Sequence, residues 1–530
     1  MSEESKVVDE TPPPPAGDDA SSSKDKGKGK AAPSEDLAGA VPGVDMSQPV
    51  GKLDKKTMDQ IIRMNPSLKA ETQGKDPAAV QKMLETMKLG ELLAGMATGK
   101  NAKDMASYKF WKTQPVPRFD DNPEGQTEGE IKQGDPDKVP KEPYPLLDGF
   151  EWCTMDLLNE DELIEVYKLL NGHYVEDEEA MFRFAYSSPF FKWALMPPGW
   201  KKDWHVGVRV KPTEENKKGK LVAFISAIPL TLRIRTNVVN CSEVNFLCIH
   251  KKLRGKRLAP VLIREVTRRC NIIGIWQALY TGGAVLPTPI SSCRYYHRSL
   301  DWLKLNEVGF SPLPPNSSKA KQITRYALPA ATKVDGLRPM EAKDTAAVKD
   351  LMDRYLVRFD MAPQFTEEEI DHWFLSKDVA DAERVIWTYV VEDPKTQKIT
   401  DFFNFYCLES SVINNSKHPV IKAAYLFYYA TETAFGTYKD NNAMKAKLKA
   451  RLNELMNDAL IIAKGLNFDV FNALTLLDNV LFLVDQKFGA GDGQLHYYLY
   501  NWRTAPIRGG MNNKMGVDDV FGSGIGMVML

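Results

Sequence analysis

Five cations crowd one short run: Lys251, Lys252, Arg254, Lys256 and Arg257, within EVNFLCIHKKLRGKRLAPVLIREVTRRCN at residues 243–271. Upstream, Val239 to His250 is rich in β-branched and aromatic residues, as a buried strand is. Downstream, Leu258, Val261, Leu262 and Val266 fall on one face at helical spacing. Pro260 suits only a first helical turn, where its missing N–H has no intrahelical partner anyway. The cations therefore lie where a strand feeds a helix N-terminus, and the unpaired N–H groups and dipole there favour an anion. The chemistry on offer is capture of phosphates, with a solvated basic turn as the plainer alternative.

Other stretches carry chemistry less distinctly. YKFWK (108–112) sets aromatics between two lysines, an amphipathic strip that could cover an adenine ring or an acyl chain, or pack a core. GAGDG (489–493) has the glycines of a phosphate loop, but LHYYLYNW after it reads as a strand. A phosphate loop should open a helix, so a tight turn is expected there. Phe182, Phe184 and Tyr186 alternate at strand spacing, and packing of one sheet face accounts for them as well as a binding site does. His297, between Tyr296 and Arg298, has a satisfied structural histidine as its default. The last nine residues hold no charged side chain, so burial suits them better than fraying and leaves the Leu530 carboxylate as their charge.

These residues need elements to position them, and composition says little about which. The 530 residues leave room for two or three domain-sized units. Charge is balanced, 69 basic against 70 acidic residues, so no global field points to nucleic acid. The six cysteines form no CxxC pair and the seven histidines no HExxH, so neither a metal site nor a disulfide framework is expected. A reduced, cytoplasmic protein follows from that usage. MSEESKVVDE is acidic and polar, unlike a signal peptide, and Ser2 stands where a myristoylated N-terminus would need glycine. The longest apolar stretch, Leu221 to Ile234, is broken by Pro229 and Arg233 and is too short to span a bilayer.

Residues 1–50 are low in complexity, with TPPPP and SSSKDKGKGK, and are expected to be disordered. Lys52 to Leu93 carries helical patterning. Beyond it a duplication shows. DELIEVYKLL (161–170) is echoed by DTAAVKDLMDRYL (344–356), KLVAFISAIPLTLRI (220–234) by KITDFFNFYCLESSV (398–412), and EVNFLCI (243–249) by KAAYLFYYA (422–430). Two α/β units are expected head to tail, near 145–310 and 337–502. Only the first carries LRGKRLAP, so one copy is equipped for phosphates and the other is free to build a different site.

EVNFLC followed by LRGKRLAPVLIREVTRR closely resembles the signature of the protein N-myristoyltransferases, the glycylpeptide N-tetradecanoyltransferases, in fungal-like form. Against the wider acyl-CoA-dependent N-acyltransferase pattern Arg/Gln-x-x-Gly-x-Gly/Ala, Arg254 and Ala259 match the ends, but Arg257 replaces the inner glycine. YKFWKTQPVP (108–117), YVEDEEAMFRFAYS (174–187), ALYTGGAVLPTPISSCRYYHRSL (278–300), KFGAGDG (487–493) and the apolar C-terminus extend the likeness from about Ser107 to Leu530. The resemblance implies an α/β (α+β) fold of two pseudo-symmetric acetyltransferase-like (GNAT) halves around a saddle-shaped mixed sheet. Residues 51–320 would bind myristoyl-CoA and 321–530 the peptide.

Transfer from a thioester to an amine needs fixed donors for an oxyanion, a neutral amine and a dry slot for the chain. Backbone N–H groups are the best donors, since they cost no reorganisation, and a strand must bulge to release them. The family places its bulge at Asn245, Phe246 and Leu247, with the N–H groups of Phe246 and Leu247 as donors. It implies Asn245 and Thr281 to place the amine and the Leu530 carboxylate to take its proton. For myristoyl-CoA, a co-substrate rather than a permanent cofactor, it implies Tyr108, Lys109, Phe110 and Trp111, residues Phe246, Leu247, Cys248 and Ile249, and the run Arg254, Gly255, Lys256, Arg257, Leu258, Ala259 and Pro260. For the peptide it implies Tyr174, Phe182, Phe184, Tyr186, Tyr295, His297, Ser410, Gly491, Asp492 and Gly493, with Asp177 and Glu179 suited to lysines further along. The implied partners are acyl-CoA and proteins with an N-terminal glycine, with ribosome contact through the lysine-rich tail set against a merely solubilising role. A monomer is expected. Two rival readings are a catalytically silent acyl-CoA-binding adaptor and a short-chain N-acetyltransferase.

Overall fold

In the computed structural model, the described residues are Met105, 108–119, 121, 127–175, 181–214, 217–376, 380, 383–413 and 415–530. All belong to the unit Lys103–Leu530. The expected disordered tail at 1–50 and the helical segment at 52–93 lie outside them, as do Asp177 and Glu179.

The first half runs β1 (Phe150–Thr154), α1 (Glu160–His173), β2 (Phe182–Ala185), α2 (Ser188–Leu195), β3 (His205–Val210), β4 (Leu221–Ile234), β5 (Asn237–Ile249), α3 (Leu258–Ile272), β6 (Ala278–Gly282) and β7 (Ser291–Ser299). Two short helices, α4 (Trp302–Glu307) and α5 (Lys319–Tyr326), lead out of it. The second half repeats the order: β8 (Leu337–Pro339), α6 (Thr345–Leu356), β9 (Met361–Pro363), α7 (Glu367–Phe374), β10 (Ile386–Glu392), β11 (Ile399–Val412), β12 (Val420–Thr431), α8 (Asn441–Gly465), β13 (Val470–Leu474) and β14 (Gly489–Tyr500). Local chemistry starts these helices where they start. Asn159 caps α1, Ser187 caps α2 ahead of a proline in the first turn, and Thr366 with Glu369 closes a capping box on α7.

One 14-stranded mixed sheet holds both halves, in the order β1-β3-β4-β5-β6-β14-β7-β13-β12-β11-β10-β8. Under exchange of each strand for its counterpart, that order reads the same from either end. The last strands are traded: β14 lies between β6 and β7, and β7 pairs with β13. The short strands are traded too, β9 pairing with β4 and β2 with β11. The pairs β5–β6 and β12–β13 are parallel, as a helical crossover demands, and α3 and α8 supply the crossovers.

The large core between the halves is strongly aromatic, with Phe190, Trp193, Trp373, Phe374, Tyr406 and Phe427 among its buried rings. A second, smaller core lies under α3, where Leu262, Val266 and Cys270 meet Val206, Val208 and Ala223. Helical periodicity foretold this face of α3, but not the exchange of strands.

That exchange makes each half incomplete alone, because β6 and β7 are joined only through β14. Residues 1–330 and 331–530, expressed separately, should each lack a cooperative thermal transition, and co-expression should restore one. A separate fragment melting cooperatively near the intact protein's Tm would contradict the reading.

Candidate functional site

The strand β5 breaks its ladder at the expected place. Phe224 pairs with Cys248 and Ser226 with Asn245, so Phe246 and Leu247 share the single residue Ile225 opposite. Phe246 sits in the left-handed region at φ 56°, costly for a bulky side chain. The bulge also turns the strand over: Val244 and Phe246 are two residues apart, yet Phe246 joins the large core with Cys248 while Val244, like Leu247 and Ile249, faces the core under α3. What holds the strained residue is its ring, packed against Tyr174 at 5.9 Å, Tyr186 at 5.3 Å and Phe191 at 5.5 Å between centroids. Burial raises the Tyr174 phenol's pKa, with the nearby Phe246 backbone opposing it only weakly.

Beyond β5 the chain makes one 3-10 turn, Lys251–Leu253, and enters α3 through Arg257, itself left-handed at φ 60° with no side-chain cap. Lys251, Lys252, Arg254, Lys256 and Arg257 are all exposed around that helix start. Arg254 is tied back to the carbonyl of His173 at the end of α1. His173 and His250 pack 3.9 Å apart beside it. Burial first, then its histidine neighbour and nearby cations, pushes His173 down to about 4, so this corner concentrates positive charge without adding imidazolium.

The YKFW segment closes over the same region. Trp111 lies stacked on Tyr280 of β6 at 5.5 Å, Phe110 receives the Arg264 guanidinium of α3 at 5.7 Å, and the Tyr108 hydroxyl donates to the Val285 carbonyl at 3.1 Å. Lys109 points to solvent. These aromatics form a wall standing on β6 and α3.

The expected peptide residues gather where the halves meet. Phe184 pairs with Ser410 across β2 and β11. Phe182 and His297 both pack on Phe310, at 5.7 and 5.3 Å. His297 Nδ1 is bonded to Asn472 Oδ1 at 2.7 Å, and burial lowers its pKa, so it is a satisfied histidine. Burial lifts Tyr295 to about 12 and Tyr186 far above its ordinary value. The expectation for GAGDG is corrected: these residues open β14 itself, with the register slipping between Ala490 and Gln494. Gly491 serves close approach instead, since a Cβ there would meet His297 Nε2 at 2.3 Å. The sequence could not reveal this, because the crowding residue comes from another strand.

The C-terminal segment is buried, as its composition predicts: Ile525, Met527, Val528 and Met529 are each under 7% exposed. It lies beside β9, with Met361 N–H donating to the Gly524 carbonyl at 3.0 Å and Gly526 N–H to the Met361 carbonyl at 2.7 Å. Leu530 is half-buried. Thr281 pairs with Tyr497 in the adjoining ladder.

One residue escaped the sequence reading. Glu243, 4% exposed, accepts from Asn245 Nδ2 at 2.6 Å and lies within electrostatic reach of Tyr428 and Tyr497. Burial pushes its carboxyl up to about 7, against the opposing bond from Asn245. The signal was present: a lone acid inside the otherwise uncharged strand VVNCSEVNFLCI. That bond uses one of the two N–H groups of the Asn245 amide. Among the described residues no cluster of histidine, cysteine and acidic side chains could hold a metal.

Residues 130–293 match the family profile described as myristoyl-CoA:protein N-myristoyltransferase, N-terminal domain, and residues 307–528 match its C-terminal domain. Glycylpeptide N-tetradecanoyltransferase of Emericella nidulans is 58% identical over 511 residues, 96% of this chain and 100% of that protein. The Aspergillus fumigatus protein of the same name is 57% identical over 514 residues, again 96% and 100%. Among solved structures, Saccharomyces cerevisiae N-myristoyltransferase with bound myristoyl-CoA aligns with a TM-score of 0.76 and 50% identity, covering 80% of this chain and 94% of that one.

Glu243 makes a sign-definite prediction. Its carboxyl ordinarily titrates near 4.5 and does so at about 7 when folded. Between those values the folded chain holds the proton more tightly, so the stability contributed by the protonated carboxyl falls as pH rises through the window, and only that contribution is gone above it. Glu243→Gln removes that slope. Its thermal stability relative to the parent should improve from pH 4.5 to 8, by at most about 3 kcal/mol. A difference that stays flat with pH would mean that the carboxyl is not held neutral by burial.

Proposed function

The chain belongs to the myristoyl-CoA:protein N-myristoyltransferase family, and from that membership we propose that it moves the myristoyl group of myristoyl-CoA directly onto the α-amine of an N-terminal glycine. It is an N-acyltransferase with myristoyl-CoA as its co-substrate. The observation that carries the mechanistic reading is the bulge at Phe246–Leu247 immediately upstream of a cationic helix N-terminus.

In this reading the CoA phosphates lie at the start of α3, facing Arg254, Lys256 and Arg257, where dipole and side chains add. The thioester carbonyl then meets the bulge, and the Phe246 and Leu247 N–H groups receive the oxygen as the carbonyl becomes tetrahedral. Such preorganised donors contribute several kcal/mol because nothing reorients at the moment of reaction. The amine nitrogen forms the C–N bond, the C–S bond breaks, and the departing CoA sulfur takes up the proton that the nitrogen sheds on becoming an amide, so CoA leaves as its thiol. An α-amine titrates at about pH 8, so a modest base suffices. The Leu530 carboxylate takes the ammonium proton, with Asn245 Oδ1 and Thr281 orienting the amine. Glycine alone at the first position lets the carboxylate approach, since it brings no side chain. The aromatic wall of Phe182, Phe184, Tyr186 and Tyr295, with His297, Ser410 and the glycines of 491–493, lines the path of the peptide behind it.

A silent acyl-CoA-binding adaptor would have no use for a strained bulge, and Arg257 in place of the inner glycine counts against a short-chain acetyltransferase. One experiment separates all three: mass spectrometry of a glycine-initiated peptide after incubation with myristoyl-CoA or acetyl-CoA. The expected product is the N-myristoyl peptide, with acetyl transfer slower by at least about 100-fold, since each lost methylene removes close to 0.8 kcal/mol of burial. Preferred acetyl transfer, or none with either donor, would reject the proposal.

A further inference from the structure

The C-terminal segment is held by backbone pairing only as far as Gly526. Upstream, Leu477 N–H donates to the Ile525 carbonyl at 2.8 Å, and Gly526 N–H to the Met361 carbonyl at 2.7 Å. At the next peptide unit the support changes in kind. The Tyr497 hydroxyl donates to the Met527 carbonyl at 2.9 Å, and the Val528 N–H donates to the Tyr428 hydroxyl at 3.0 Å. Those two polar atoms are opposite sides of one peptide unit. They are satisfied by side chains from two strands, β12 and β14, each tyrosine at most 1% exposed.

We propose that Tyr428 and Tyr497 are positioning residues, a pair of hydroxyls that grips the Met527–Val528 peptide unit and so aims the Leu530 carboxylate. The inference rests on the reading of that carboxylate as the base. Packing alone would be served by phenylalanine, and a buried hydroxyl costs free energy unless it is bonded. Each hydroxyl here spends a bond on the segment. From the gripped unit to the carboxylate only two residues remain, a reach of at most about 7 Å, so orienting the unit confines the charge.

The anchoring of Tyr428 follows from the duplication. Phe403 pairs with Tyr429 and Phe405 with Leu426, so β12 bulges at Phe427 and Tyr428, at the place corresponding to Phe246 and Leu247 in β5. Here the extra backbone donor is already taken: the Tyr428 N–H donates to Asn404 Oδ1 at 2.7 Å, in the buried interior. The second half thus retains the bulge, fills it with an asparagine side chain, and uses it to point a tyrosine at the C-terminal segment. Tyr497, for its part, is the ladder partner of Thr281, so the grip is built into the strand beside the amine's expected place.

The test compares Y428F, Y497F and Y428F/Y497F in the full chain and in a chain lacking residues 528–530, by single-turnover myristoyl transfer to a glycine-initiated peptide. In the full chain the double variant should transfer roughly 10- to 100-fold more slowly at pH 7, with myristoyl-CoA affinity within about twofold of the parent. The defect should shrink toward pH 9, where the amine deprotonates without help. In the shortened chain the same substitutions should cost nothing further. Each single variant removes one oxygen and opens no large cavity, so if the double variant fails to fold, Y497F alone carries the comparison. Parental rates in the Phe variants, while shortening abolishes transfer, would overturn the grip and spare the base. A pH-independent loss, or an equal loss in the shortened chain, would also overturn it by making the tyrosines merely structural. Unchanged transfer after shortening would overturn the base first and the grip with it.

Discussion

A strand in the interior of a sheet has no backbone N–H to spare, because both edges are committed to neighbours. Everything proposed for this protein depends on one local suspension of that rule, at Phe246–Leu247 in β5. The suspension is expensive, since it places a phenylalanine at positive φ, a strain of about 1–3 kcal/mol. It persists because the Phe246 ring is locked among Tyr174, Tyr186 and Phe191, residues of three other segments. In the proposed mechanism core and site are therefore one object: the packing that stabilises the fold would also keep the donors aimed.

The duplication lets the same device be seen twice with different contents. In β12 the equivalent bulge is occupied by the Asn404 amide, which satisfies the Tyr428 N–H from within the protein. In β5 the equivalent of Asn404 is Ile225, which has nothing to offer a backbone donor. The residue opposite the bulge thus differs in kind, an amide that accepts from the backbone in β12 and an aliphatic side chain that cannot in β5. The charge asymmetry runs the same way, with the cationic turn following β5 and an uncapped helix start behind it.

Much of this was legible in the sequence, for definable reasons. The strand, cationic turn and helix at 237–272 were readable because each carries its own periodicity or its own punctuation, such as Pro260. The buried C-terminal segment was readable from the absence of charge. The repeat was readable because apolar spacing survives when identity does not. What stayed hidden was every fact about partners. Strand exchange between β7 and β14, the crowding of Gly491 by His297, and the grip on the 527–528 peptide unit all join residues far apart in the chain. Periodicity reports how a residue is buried, not by what. Glu243 falls between these cases: its position was visible, but its near-neutral carboxyl depends on burial that only the fold reveals.

In the proposed mechanism the Leu530 carboxylate removes the amine's proton. The most direct measurement changes that charge and nothing else, by semisynthesis of the protein with Leu530 as its carboxamide. Single-turnover transfer at pH 7 should fall by roughly 10² to 10⁴, myristoyl-CoA affinity should hold, and raising the pH should recover part of the rate as the amine deprotonates on its own. A carboxamide protein that transfers within about twofold of the acid at pH 7, far short of the loss expected from removing a general base, would contradict the account and send the proton to another acceptor.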